Sequence, residues 1–104
     1  MSEHFVFRAT ADEALAKLKA GNAAYLAQRS TADNSPAARV RAFSRGQQPY
    51  AIILTCAASR VIPELIFSAG IGDLFVIRVA GNVIDDHQLG SIEYAAEHLG
   101  SPLV

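Results

Sequence analysis

One cysteine and no tryptophan occur in the 104 residues. A lone cysteine excludes an intrachain disulfide framework and any metal centre built from several thiolates of one chain. An excess of charge of one sign is also missing. Nine Lys and Arg stand against ten Asp and Glu, leaving a net charge of -1 with both signs scattered. Without a polybasic field for phosphates or anionic lipid, no nucleic-acid and no membrane partner is expected. Long hydrophobic runs are absent too, since none approaches the roughly 20 residues that a membrane span requires. The first residues, Met1 to Arg8, lack a cationic start followed by an apolar stretch, so the expected compartment is the cytoplasm. With only four Pro and seven Gly against 51% hydrophobic residues, disorder is excluded and one globular unit is expected.

Along the chain, Thr10-Ala-Asp-Glu13 has the spacing of a capping box and predicts a helix start. Leu15, Leu18, Tyr25 and Leu26 continue it at helical spacings, while Gly21-Asn22 weakens the middle and predicts a break there. Residues 29–34 read as a loop. Ser35-Pro36 reads as an N-cap followed by Pro at the first helical position, opening a short basic helix that stops near Gly46. Its arginines read as a solvated face.

Two unbroken apolar runs, Ala51 to Thr55 and Leu74 to Val79, suit strands buried on both faces. Between them Pro63-Glu-Leu-Ile-Phe67 starts with Pro and an acid and ends near Gly70, which predicts a right-handed strand, helix, strand crossover. A further helix is expected from Asp86 to Leu99, with Asp85 and Asp86 at its positive end and Gly100 as its C-cap. Ser101 to Val104 reads as the entry to a third parallel strand. The expected architecture is one α/β domain over residues 1–104, with a helical arm over 1–48 and a βαβα core over 49–104.

Ligands in open parallel sheets bind beyond the carboxyl ends of the strands, which here means the loops beginning at Cys56 and Ala80. Cys56 is followed four residues later by Arg60, and a cation and a positive helix end lower a thiol pKa. Free Cys is also among the most buried residue types, so a structural Cys56 stands beside the reactive or metal-bound one. Gly81-Asn82 reads as a tight turn, with Gly taking an unusual dihedral and Asn bonding nearby backbone, or as pocket lining.

Three segments together carry a resemblance: Cys56-Ala-Ala-Ser59-Arg60-Val-Ile-Pro63-Glu64, Gly72-Asp73-Leu-Phe-Val-Ile-Arg78-Val-Ala-Gly81-Asn82, and Leu89 to Gly100. They resemble the β-class carbonic anhydrases, and the segment from Ala11 to Leu26, with Leu-Lys-Ala-Gly-Asn at its centre, resembles that family's N-terminal arm. The resemblance implies a dimer-based α/β fold whose N-terminal helices pack across a partner subunit. It also implies a zinc enzyme interconverting CO2 and bicarbonate, the metal held by a Cys, a His and a second Cys. Cys56 matches the first ligand, and zinc suits the reaction because it lowers the pKa of bound water towards neutrality. Arg60 matches the arginine of an Asp-Arg pair that controls the fourth metal position, and Ser59 beside it shapes the pocket. Arg78 resembles an arginine with which some members bind bicarbonate at a regulatory position, although an ion pair across an interface also suits it.

Two departures follow from the same comparison. Ala58 stands where the family has the Asp, so Arg60 lacks its usual carboxylate. The family's His-x-x-Cys follows the third strand, and the sequence stops at Val104 before it, so the fold is expected to be truncated and zinc absent or incompletely bound. His87, beside Asp85 and Asp86, is the substitute ligand that the sequence offers, whereas His98 near a helix end suits the helix dipole and not a metal. The expected activity of the isolated chain is weak or nil. The alternative is a non-catalytic module pairing with itself or with a complete carbonic anhydrase subunit. Two strands and the stub of a third leave a sheet uncovered, which predicts a homo-oligomer, a dimer or a multiple of it, with the arm packed or exchanged across subunits.

Overall fold

The structure is a computed structural model that describes residues 10–30, 32–58 and 60–104. Helix α1 spans Ala11–Leu26 and opens on the expected capping box. The Thr10 hydroxyl accepts from the Glu13 N–H at 3.1 Å, and the Glu13 carboxylate accepts from the Thr10 N–H at 2.8 Å. The helix does not break at Gly21-Asn22. A side chain at Gly21 would place its Cβ 1.8 Å from the Phe67 carbonyl oxygen, so glycine here permits a close backbone approach and is not a helix end. The neighbouring groups seal the contact. The Asn22 side-chain amide donates to the Ile66 carbonyl at 2.9 Å, and the Ser68 hydroxyl donates to the Gly21 carbonyl at 2.8 Å. Tertiary contacts thus override the weak helix propensity of this pair.

Helix α2, Pro36–Arg45, has the expected Ser35 cap and Pro start, and Gly46 follows it with φ 76°. Strand β1, Ala51–Thr55, pairs in parallel with β2, Leu74–Arg78, in the register Ala51 to Leu74 through Thr55 to Arg78. Helix α3 between them is a single turn, Pro63–Ile66. Helix α4, Asp86–Glu97, is capped by Asp85, whose carboxylate accepts from the backbone of His87 and Gln88. It ends two residues earlier than the sequence predicts. Gly100 nevertheless takes the left-handed conformation, φ 70°, and the Ser101 N–H returns to the Ala95 carbonyl at 3.1 Å.

Strand alternation divides the sheet into two faces. Ala51, Ile53, Leu74 and Val76 face a core with Ala14 and Leu18 of α1, Tyr50, Phe67 and Ala69. Ile52 and Phe75 face the other way, where the Phe75 ring lies 6.2 Å from that of Tyr94 on α4. Ile52 is 1% exposed, yet Ile53, Leu54 and Phe75 to Ile77 are only partly buried. Burial of both strands on both faces is therefore incomplete, because a one-turn α3 and a single α4 do not cover the sheet. Residues 101–104, the expected entry to a third strand, lie outside the two-stranded sheet and meet it through one bond, the Ile52 N–H donating to the Leu103 carbonyl at 2.8 Å. That bond places residues 101–104 beside β1 and makes β1 the middle of the arrangement.

Candidate functional site

The carboxyl ends of β1 and β2 lie side by side, because Thr55 is in register with Arg78. The loops that leave them therefore face each other. The Val79 N–H donates to the Thr55 carbonyl at 2.9 Å and carries the pairing one residue further. The chain then turns through Ala80–Asn82, with Gly81 at φ 77° and Asn82 at φ 61°. The expected tight turn forms, and the bond that closes it is the Asn82 backbone N–H to the Val79 carbonyl at 3.0 Å. The Asn82 side chain does not supply that bond.

This turn brings the Gly81 backbone beside the half-buried Cys56. Hydrogen bonding from Gly81 is the largest influence on the thiol, and the backbone N–H groups of Ala58 and Ala57 add to it. These donors, with the Arg78 guanidinium as a smaller contribution, hold the Cys56 pKa below the ordinary thiol value against the opposing effect of burial. Arg78 also donates to the Ala58 carbonyl at 2.7 Å and so fixes the loop that provides two of the donors. The ion pair expected for Arg78 lies across an interface and involves a partner chain. The contact found within the chain is this carbonyl.

Arg60 is exposed and makes no ion pair among the described residues, with Ala58 in place of a carboxylate beside it. Ser59 lies outside the described residues. His87 is on the surface with a 93% exposed side chain, and its Nδ1 is 3.7 Å from the Asp85 carboxylate. His98 caps α4 and its ring lies 5.2 Å from that of Tyr94. Cys56, Ala58, Arg78 and Gly81 are thus brought together, and His87 is held by a different partner. Among the described residues no group of three or more His, Cys, Asp or Glu is arranged to hold a metal ion. Those residues offer a metal one thiol of lowered pKa and do not by themselves fit a three-ligand zinc centre. No described helix is long and apolar enough to cross a membrane.

The backbone donors around Cys56 are what sequence reasoning missed. Peptide N–H groups carry no residue signature, although Gly81 ahead of Asn82 marks a turn able to present one.

A family model described as carbonic anhydrase matches residues 51–104. Carbonic anhydrase 2 of Mycobacterium tuberculosis is 46% identical over 87 residues, covering 84% of this chain and 42% of that protein. A carbonic anhydrase of Mycolicibacterium smegmatis is 42% identical over the same length and coverage. The chain thus spans less than half the length of these curated relatives. Among solved structures, the β-carbonic anhydrase CcaA superposes with a TM-score of 0.57 at 32% identity, covering 86% of this chain and 42% of that one. A Coccomyxa β-carbonic anhydrase in complex with acetazolamide gives 0.53 at 33% identity, covering 62% and 32%. With its family match over the whole strand, helix, strand region and these structural neighbours, the chain belongs to the β-carbonic anhydrase family.

Proposed function

We propose that this chain carries the thiolate side of a carbonic anhydrase site, with little or no CO2 hydration by the 104 residues alone. The carrying observation is the half-buried Cys56 at the carboxyl end of β1, with no second and third metal-ligating side chain arranged around it among the described residues. Members of the family are zinc enzymes acting on CO2 and bicarbonate, and Cys56 is the position at which this chain would contribute one zinc bond. One thiolate replaces too little of a metal's hydration shell to retain it tightly. Arg60 and Ser59 border the pocket in this reading, and Gly81, Asn82 and Arg78 line it. The bond from Ile52 to Leu103 favours a strand running on beside β1. At about 3.3 Å per residue, a longer chain would come level with Cys56 about four residues past Val104. That is where the family resemblance puts the remaining ligands.

Metal analysis after zinc loading and dialysis, with stopped-flow CO2 hydration on the same sample, tests this reading. Substoichiometric zinc and hydration near the uncatalysed rate are expected. Stoichiometric zinc with hydration activity overturns it.

A second reading, assembly with another subunit in the cytoplasm, is favoured by the uncovered apolar surface. Leu26, Val40 and Phe43 are exposed on the arm, and the strands are half covered. An obligate homo-oligomer with the arm over 1–48 at its contact follows. Light scattering on dilution tests it, and a folded monomer persisting at nanomolar concentration removes it.

A further inference from the structure

Hydrogen bonds run in an almost unbroken series from the loop after Cys56 to the arm. The Ala58 carbonyl accepts from the Arg78 guanidinium at 2.7 Å and from the Val61 N–H at 3.1 Å. The Ile62 carbonyl, next along the chain, accepts from the Leu65 N–H at 2.9 Å and the Ile66 N–H at 3.1 Å, closing the single turn of α3. The Ile66 carbonyl then accepts from the Asn22 side-chain amide of α1 at 2.9 Å, and the Ser68 hydroxyl bonds back to the Gly21 carbonyl. Each bond starts at or beside the residue where the last one ends. At the near end of the series, the backbone of Ala57 and Ala58 lies against Cys56.

Packing makes this turn a lever. Pro63 at its pivot is fully buried, and its ring fixes φ there. Ile62 before it is 38% exposed and Leu65 after it 51% exposed, so neighbouring side chains do little to hold the two ends. Their positions are set by the bonds at each end. The arm leaves no slack at its junction, because a Cβ on Gly21 would lie 1.8 Å from the Phe67 carbonyl oxygen. We propose that Asn22 is a positioning residue for Cys56: the arm, docked on the Ile66 carbonyl, holds α3 and through it the loop that follows the thiol. A docked arm and an ordered loop then stabilise each other, and the coupling is reciprocal. This deepens the reading of Cys56 as the thiolate side of a carbonic anhydrase site and takes its functional meaning from that reading. The order of the loop is measured without zinc or CO2, so the two can fail separately.

Amide hydrogen exchange, followed residue by residue by NMR on the whole chain, tests the coupling. Asn22→Ala and Ser68→Ala each remove one bond at the junction of arm and lever. Asn34→Ala is the control, since it removes a bond of the same kind, to the Ala69 carbonyl at 3.2 Å, beyond the end of α3. The Val61 amide reports on the loop, and the Ile52 amide, bonded to Leu103, reports on general opening. Relative to Ile52, Val61 exchange should rise about threefold in Asn22→Ala and Ser68→Ala, the scale of one lost hydrogen bond, and stay at the wild-type rate in Asn34→Ala. From the other end, Arg78→Ala should speed exchange of the Ile66 amide about threefold. A Val61 amide unmoved in both junction variants overturns the proposal. An equal rise in all three variants also overturns it, because that is the response of a fold loosened throughout. Far-ultraviolet circular dichroism checks folding, and since the junction variants remove different bonds, either one that folds decides the question.

Discussion

The Arg78 guanidinium donates to the Ala58 carbonyl oxygen at 2.7 Å, joining the end of β2 to the loop after β1. The contact works on Cys56 in two ways, because it holds the loop whose N–H groups reach the sulfur and brings a positive charge near it. Arg78→Ala should therefore raise the Cys56 pKa towards its ordinary value of 9.0. Ultraviolet thiolate absorbance followed against pH reads the change, and an unmoved midpoint contradicts the account.

The same depressed pKa gives stability a pH dependence of definite sign. A thiol that ionises more readily when folded contributes stability that is fully present above the unfolded value, 9.0, and is lost as pH falls through the lower folded value. In Cys56→Ser that contribution should vanish. The difference in urea midpoint between wild type and variant should therefore widen as pH rises through this window. A difference that narrows instead would reverse the assigned sign.

Gly21→Ala should cost about 2 kcal/mol or more, because its methyl group meets the Phe67 backbone and not a movable side chain. Asn22→Ala removes only the bond to the Ile66 carbonyl and should cost about 1 kcal/mol. Urea denaturation gives both values. Equal effects would mean that the close approach of α1 to α3 is not maintained in solution.

His87→Ala should leave zinc uptake unchanged, since that side chain points to solvent beside Asp85. Asp85→Ala, by contrast, removes the α4 cap and should lower stability by about 1 kcal/mol. Zinc titration and thermal melting separate the two. Loss of zinc binding in His87→Ala would bring that residue back as a ligand.

Much of this architecture is legible in the residues themselves. The apolar runs give both strands, and Thr10, Ser35 and Asp85 mark three helix starts by their ability to bond orphan N–H groups. Gly21 misleads because its local effect, weakening a helix, is outweighed by a contact with Phe67 far along the chain. The site is legible only at Cys56 and Gly81. The target of Arg78 is a carbonyl, the group every residue has, so no residue type announces it. Ala58 likewise says which group is missing beside Arg60 without saying what Arg78 does there. The partial exposure of Ile53 and Val76 depends on how long α3 is, and a Pro start and a glycine end do not fix that length.

The buried Ser101 hydroxyl donates to the Pro49 carbonyl, 52 residues back. That one bond draws a closed circuit around the strands, α3 and α4, leaving α1 and α2 outside the ring. The circuit almost coincides with the stretch that the carbonic anhydrase family model covers, residues 51–104. The part that the family model covers thus has its own clasp, placed just before the first strand and just after the last helix. The arm is fastened to the ring at Ile66, Ser68 and Ala69 and sends Ala14 and Leu18 into the core beside its strands.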